Sequence, residues 1–219
     1  MAGRSYGRYC PVARTLELVG ERWTLLLVRE LLLGPMRFTD LHTALEGIPR
    51  NLLADRLRDL EGHRLVTRRE LPPPAARTVY ELTERGRALM PAIGELARWG
   101  LTHLETPAQD EPVSSSMAVL AGLVAHARPI AAGEERYDLD VDGRHFTLRL
   151  DGGGIRFGEP AAAGDLAVSV SASTLLRLRL GAETLDGAVA AGRLRFRPDD
   201  PALAGRFAER FALSQEDRS

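Results

Sequence analysis

Between Arg37 and Thr83 the chain reads RFTDLHTALEGIPRNLLADRLRDLEGHRLVTRRELPPPAARTVYELT, and helical spacing gives way to strand spacing within a few residues. Thr39 is suited to cap a short helix carrying Leu41 and Leu45, and Gly47 falls where that helix must stop. Pro49 can open the next helix, along which Leu53, Leu57 and Leu60 recur on one face. The opposite face carries Arg50, Asn51, Ala54, Asp55 and Arg58. Leu65–Arg69 and Thr78–Leu82 are rich in β-branched residues and read as short strands. The Pro72-Pro73-Pro74-Ala75-Ala76-Arg77 tip between them forbids helix.

Helix, tight turn, helix, strand, loop, strand is the layout of a winged helix-turn-helix. A helix shaped for the major groove beside a basic hairpin points to double-stranded DNA as the partner. The expected contacts are Thr39, Arg50, Asn51, Asp55 and Arg58 on the helices, with Arg68, Arg69 and Arg77 on the wing. Arg50 and Asn51 open the second helix and are the base-reading candidates, whereas the wing arginines suit phosphates.

The order of these elements, and the residues in them, resembles the HxlR family of bacterial regulators. The resemblance runs through Tyr9–Ala13, Gly20–Leu31, Gly34–Leu41, Leu57–Glu61 and Tyr80–Gly86, within about the first 105 residues. It implies a homodimeric, cytoplasmic transcription regulator, usually a repressor, reading a pseudo-palindromic operator. It also draws attention to Cys10, since several proteins of this type use a cysteine here as a redox or electrophile switch. The residue stands before Pro11 at the expected start of a helix, with Arg8 and Arg14 nearby, a setting that favours a thiolate. The competing reading is an inert cap residue.

At 219 residues the chain suits one large or two small domains, and its 44% hydrophobic content is enough for ordinary cores. No apolar run approaches a membrane span, because Leu25–Leu33 is interrupted by Arg29 and Glu30. The start, MAGRSYGRYC, lacks the apolar core of a signal peptide, and one cysteine cannot form an intrachain disulfide. The net charge of −1 divides unevenly, with +3 up to Glu105 and −4 beyond it. Every basic residue is Arg, so arginine count is weak evidence for nucleic acid and position matters more.

After the wing, Thr83-Glu84-Arg85-Gly86 leads into a long helix with Leu89, Ile93, Leu96, Gly100 and Leu104 as its stripe and Trp99 alongside. Pro91 implies an irregularity near its start. So long an apolar helix, with Val12, Leu16 and Val19 of the first helix, exceeds what one winged-helix core can cover, and a second copy is the expected partner. Residues 106–116, TPAQDEPVSSS, read as a linker between a domain of residues 1–105 and another of residues 117–219.

The second domain reads as α+β. A helix from Met117 to about Ala127 is apolar almost all round. Tyr137, Leu139 and Val141 then alternate with acidic residues, Asp142-Gly143 turns, and Phe146, Leu148 and Leu150 answer. Ile155 and Phe157, then Leu166, Val168 and Val170, continue the strand pattern. Ser173 or Thr174 is expected to cap Leu175–Leu180, a helix over Glu183–Ala191 should end at Gly192, Leu194 and Phe196 mark a strand, and Asp200-Pro201 opens a last helix. This order, with Asp165–Val170, Ser173–Leu176 and Gly192–Phe196, resembles sterol-carrier-protein-like domains. Such a domain implies a cavity for a lipid, acyl chain or other apolar small molecule. The inward-facing candidates are Phe146, Leu148, Ile155, Phe157, Leu175, Leu178 and Phe196, which a solid core would equally well bury.

Nothing indicates catalysis or a cofactor. His42, His63, His103, His126 and His145 fit no metal-ligand spacing, and Gly152-Gly153-Gly154 lacks the Lys and Ser or Thr of a phosphate loop. The sequence therefore describes a DNA-binding regulator with an added ligand-sensing domain. Its alternative is a redox- or electrophile-responsive regulator sensing through Cys10.

Overall fold

The computed structural model describes residues 6–72, 77–128, 130–158 and 164–213. The chain forms two compact units, Met1–Ile93 and Gly94–Ser219.

In the first unit α1 (Pro11–Val19) starts at an extended Cys10 with Pro11 at its first position. Helix α2 (Thr24–Leu32) buries Leu27, Val28, Leu31 and Leu32, together with Glu30. The Glu30 carboxylate accepts from Arg29 Nε and Nη2 at 3.1 and 2.7 Å, which makes its burial tolerable. Helix α3 (Phe38–Ala44) begins two residues earlier than a Thr39 cap would require. Arg37 is the extended residue before it, Thr39 lies inside the first turn, and its hydroxyl meets Asp40 rather than a backbone amide. Gly47, at φ +88, makes the turn into α4 (Arg50–Gly62), and Pro49 stands just outside that helix as its extended N-cap.

The wing is β1 (Val66–Glu70) paired antiparallel with β2 (Thr78–Leu82). Its expected tip at residues 73–76 lies outside the described residues. Met36 adds a bridge to Tyr80 that periodicity cannot reveal, since a single residue has no period. Thr83 closes the root of the hairpin: its hydroxyl donates to Arg64 O and accepts from Gly86 N as the cap of α5 (Glu84–Arg87). The single long helix expected here is thus two, α5 and α6 (Met90–Leu101), with a break at Ala88 and Leu89. Pro91 sits in the first turn of α6, where its missing N–H costs nothing.

The second unit has α7 (Ser115–Gly122), capped by Ser114 and shorter than the helix expected to reach Ala127, because Val124–His126 form a separate 3-10 turn. Strands β3 (Glu134–Val141), β4 (Arg144–Asp151), β5 (Gly154–Gly158), β6 (Leu166–Val170) and β7 (Leu194–Arg197) make one sheet in the order β5-β4-β3-β6-β7. Only the β3–β6 pair is parallel among these neighbours. Asp142 and Gly143, both at positive φ, turn the β3–β4 hairpin. Helix α8 (Ala172–Leu180) is capped by Ser171, not by Ser173 or Thr174. The Ser171 hydroxyl accepts from Thr174 N at 3.1 Å, while Ser173 and Thr174 are buried within the first turn. Helix α9 (Leu185–Ala190) is capped by Thr184, and α10 (Pro201–Arg210) by Asp200.

The alternation of β3 and β4 puts Tyr137, Leu139, Phe146 and Leu148 on a buried face and charged residues on the other. Phe207 and Phe211 of the α10 region meet Tyr137 at ring-centroid distances of 5.3 and 5.4 Å, and Phe207 meets Phe196 at 5.8 Å. Arg179 ties the helices together at their ends: its guanidinium donates to Gly122 O at the end of α7 and to Phe211 O and Ala212 O at the end of α10. A cation at two helix C-termini satisfies carbonyls that have no helical partner. Pro107 O and Gln109 O, in the segment expected to be a linker, accept from Arg177 and Ser173 of α8. His126 lies half-buried nearby, and burial, followed by the charge of Arg179, pushes its pKa down to about 4.

A Cβ at Gly86 would lie 2.1 Å from Leu65 O and 2.9 Å from Leu82 Cδ2, so Gly86→Ala must separate α5 from the hairpin. It should lower stability by about 1–3 kcal/mol, read as a reduced chemical-denaturation midpoint. For His126 the folded pKa is below the unfolded value of about 6.5. Stability should therefore be greatest above that value and decline as pH falls toward about 4. In urea titrations between these limits, His126→Asn should show a flatter pH dependence than the parent.

Candidate nucleic-acid interface and apolar sheet face

Helix α4 is oriented by Leu53, Leu57 and Leu60, each 0% exposed. With that stripe seated, Arg50, Asn51 and Arg58 are exposed on the outward side and Asp55 is half-buried beside them. Arg58 Nη1 pairs with Asp55 Oδ1 at 2.7 Å, but with Arg58 70% exposed the pair is worth little and leaves the cation available. Arg56 has another role. It is half-buried and reaches Asp59 at 3.0 Å and Glu21 at 3.3 Å, anchoring α4 to the segment before α2. Thr39 is exposed at the start of α3.

The wing brings Arg68, Arg69 and Arg77 to the surface in different ways. Register pairs Arg68 with Tyr80 and Arg69 with Val79, so the adjacent arginines point to opposite faces of the hairpin. Arg68 meets Glu61 at 3.0 Å and Arg69 meets Glu81 at 3.0 Å. Arg77 is exposed ahead of β2, its carbonyl accepting from Leu71 N. Sequence reasoning missed two aromatic neighbours of these cations. Arg50 lies over the ring of Phe38 at 5.6 Å and Arg68 over that of Tyr80 at 5.2 Å. In sequence both rings look like ordinary core residues, and only the turn and the strand register bring the arginines to them.

In the second unit the sheet candidates share one face. Phe146, Leu139, Val168 and Phe196 form a row across four strands, and Phe157, Leu148, Tyr137 and Leu166 form the next. Phe146, Leu148 and Phe196 are buried, whereas Ile155 and Phe157 on the edge strand β5 are half-buried. Leu175 and Leu178 are buried on α8, Leu175 within 3.0 Å of where a Cβ on Gly122 would lie. A polar surface pocket of about 220 Å³ is lined instead by Asp140, Ser169, Arg193, Arg195 and their neighbours, and includes none of these candidates. Cys10 is exposed, with no hydrogen bond from its side chain to the start of α1. Among the described residues no group of His, Cys, Asp and Glu is arranged to hold a metal ion, and no helix is long and apolar enough to cross a membrane.

Comparison with known proteins bears on the first unit. A family profile described as HxlR-like helix-turn-helix matches residues 18–108. The HTH-type transcriptional regulator YvaP of Bacillus subtilis is 35% identical over 91 residues, covering 41% of this chain and 84% of that protein. The HTH-type transcriptional regulator Rv3095 of Mycobacterium tuberculosis is 48% identical over 96 residues, which take in 44% of this chain and 60% of the relative's length. Among solved structures, the reduced form of the transcriptional regulator YodB from B. subtilis is 32% identical, covering 46% of this chain and 100% of that one, with a TM-score of 0.40. These relatives are regulators of transcription and not enzymes. With the helix-turn-helix geometry already evident in α3 and α4, this chain belongs to the HxlR-like helix-turn-helix family of transcriptional regulators.

Proposed function

We propose that the chain is a homodimeric repressor whose operator binding is modulated by an apolar small molecule held in the second unit. The carrying observation is the outward face of α4: Arg50, Asn51 and Arg58 are exposed on a helix whose other face is fully buried, beside a hairpin that presents Arg68, Arg69 and Arg77. Arg50 and Asn51, in the first turn, read base edges; the wing arginines follow phosphates; Thr39 and Asp55 border the contact. A second copy would cover Leu96, Trp99 and Leu104, which are 53%, 68% and 50% exposed, along with Val12 and Leu16 at 67% and 43%. Two copies about a two-fold axis match a pseudo-palindromic site.

For the second unit, the sequence of helix, three-strand meander, strand, two helices, strand and helix supports a sterol-carrier-protein-like reading. Its sheet presents a continuous apolar face, and the half-buried Ile155 and Phe157 at the edge are the natural mouth for a lipid or acyl chain. A ligand regulates only by binding the DNA-competent and incompetent dimers unequally. A coupling of about 1–3 kcal/mol would shift operator affinity roughly 5–150-fold. The exposure of Cys10 supports a second reading, in which oxidants or electrophiles modify the thiol and the second unit serves assembly. Loss of an oxidant response in Cys10→Ser, with the parent responsive, would select it.

With an operator selected from random duplexes, Arg50→Ala or Asn51→Ala should each cost about 1–3 kcal/mol and relax preference at one base pair. Normal binding by both variants would refute the assignment. Wing variants should instead weaken binding to every sequence and flatten the log-log salt slope by about 0.9 for each phosphate no longer neutralised. The dimer is tested by Leu96→Glu combined with Leu104→Glu, which should yield monomers in analytical ultracentrifugation. For the sensor, solvent extraction of the purified parent should release an apolar molecule identifiable by mass spectrometry. Leu148→Trp, which fills the apolar face, should bind operator yet carry none; a parent that carries no such molecule counts against a resident ligand.

A further inference from the structure

We propose that Phe38 and Tyr80 are positioning residues for DNA recognition, each holding one DNA-facing arginine by the flat side of its guanidinium. This inference rests on the reading above that Arg50 and Arg68 touch DNA. A guanidinium has two kinds of surface. Its face stacks on a ring, and its edge carries the N–H groups that meet phosphates and base edges. A carboxylate partner occupies the edge and must be displaced when DNA binds. An aromatic partner occupies the face and leaves the edge free.

The two rings are themselves well anchored. Phe38 opens α3 and is half-buried. Tyr80 is 8% exposed, and its backbone exchanges hydrogen bonds with Met36 at 2.8 and 3.0 Å. Met36 and Phe38 belong to the same short stretch that leads from α2 into α3, so one piece of backbone locates a ring for the reading helix and fixes the ring for the wing. Arg50 lies 5.6 Å from the Phe38 centroid and Arg68 5.2 Å from that of Tyr80. Arg68 also meets Glu61 at 3.0 Å. DNA would replace that carboxylate while the ring contact persisted. Arg58 provides the contrast, because Asp55 meets it at the edge of the guanidinium.

The consequence is selective. Losing the Phe38 ring should affect the base pair read by Arg50, while losing the Tyr80 ring should weaken binding without changing base preference. The experiment uses the full chain and duplexes carrying the selected operator or single base-pair changes in it. Phe38→Leu should reduce discrimination at the Arg50-dependent base pair by about two- to five-fold, with the salt slope and other positions unchanged. Phe38→Tyr should retain discrimination. Added to Arg50→Ala, Phe38→Leu should cause no further loss, since the ring acts through that arginine. A measurement on the parent avoids any folding defect: ¹⁵N relaxation should show Arg50 and Arg68 Nε–H groups more restricted than that of exposed Arg85. Additive losses in the double mutant, a uniform loss across all duplexes in Phe38→Leu, or side-chain mobility equal to that of Arg85 would each overturn the proposal. If Arg50→Ala itself leaves base preference intact, the underlying contact assignment fails, and this proposal with it.

Discussion

The apolar stripe Leu53, Leu57 and Leu60 decides what the first unit can present to its surroundings. These side chains are fully buried, and α4, which is largely polar elsewhere, has only this stripe to seat. Seating them forces Arg50, Asn51 and Arg58 outward, fixes the direction in which α4 leaves the turn at Gly47, and places Glu61 beside the wing. The hairpin follows from the same constraint, because Leu65 N returns to Leu60 O as α4 ends and Thr83 then closes the hairpin root onto Leu65 O. The charged surface therefore results from packing on the opposite face. Rotating α4 about its axis would bury arginines without partners at a cost no surface contact could offset.

The second unit is organised around a sheet whose two faces differ in chemistry. One face is a set of apolar rows across β3, β4, β6 and β7, closed by the Tyr137, Phe196, Phe207 and Phe211 rings. Its helices are joined through Arg179, which serves the open ends of α7 and α10 together. Glu135 adds a tie to α10 through two 2.8 Å bonds from Arg210. Burial raises the Glu135 pKa, but the bonds from Arg210 and then from Tyr137 outweigh it and hold it below its ordinary value. Charged residues in this unit thus secure helices whose apolar faces alone would allow sliding.

What the sequence made legible was periodic. The leucines of α4, the alternation in β3 and β4, Asp142-Gly143 and Asp200-Pro201 each act over a few residues and are visible without coordinates. The misplaced features depended on competition between neighbours. Thr39 and Ser173 are both plausible caps by residue type, but the extended backbone at Arg37 and Ser171 selects the helix starts. Pro91 marked the irregularity between α5 and α6 locally, whereas the Met36 bridge and the rings beneath Arg50 and Arg68 arise from tertiary closeness, which leaves no local pattern. Site residues were legible as types on a face. The Asp55 partner of Arg58, three residues away on the same helix face, was legible too, whereas Glu61 as the partner of Arg68 became visible only with the fold.

The opposed directions of Arg68 and Arg69 make the hairpin asymmetric in what it tolerates. Strand alternation ties each arginine's direction to its register, and the same register holds Val66 and Leu82 inside. Lengthening the proline-rich connection changes the hairpin's reach while preserving both directions. A single residue inserted between Val66 and Arg68 would exchange the two cations, take Arg68 off its ring and leave the inner face mispaired.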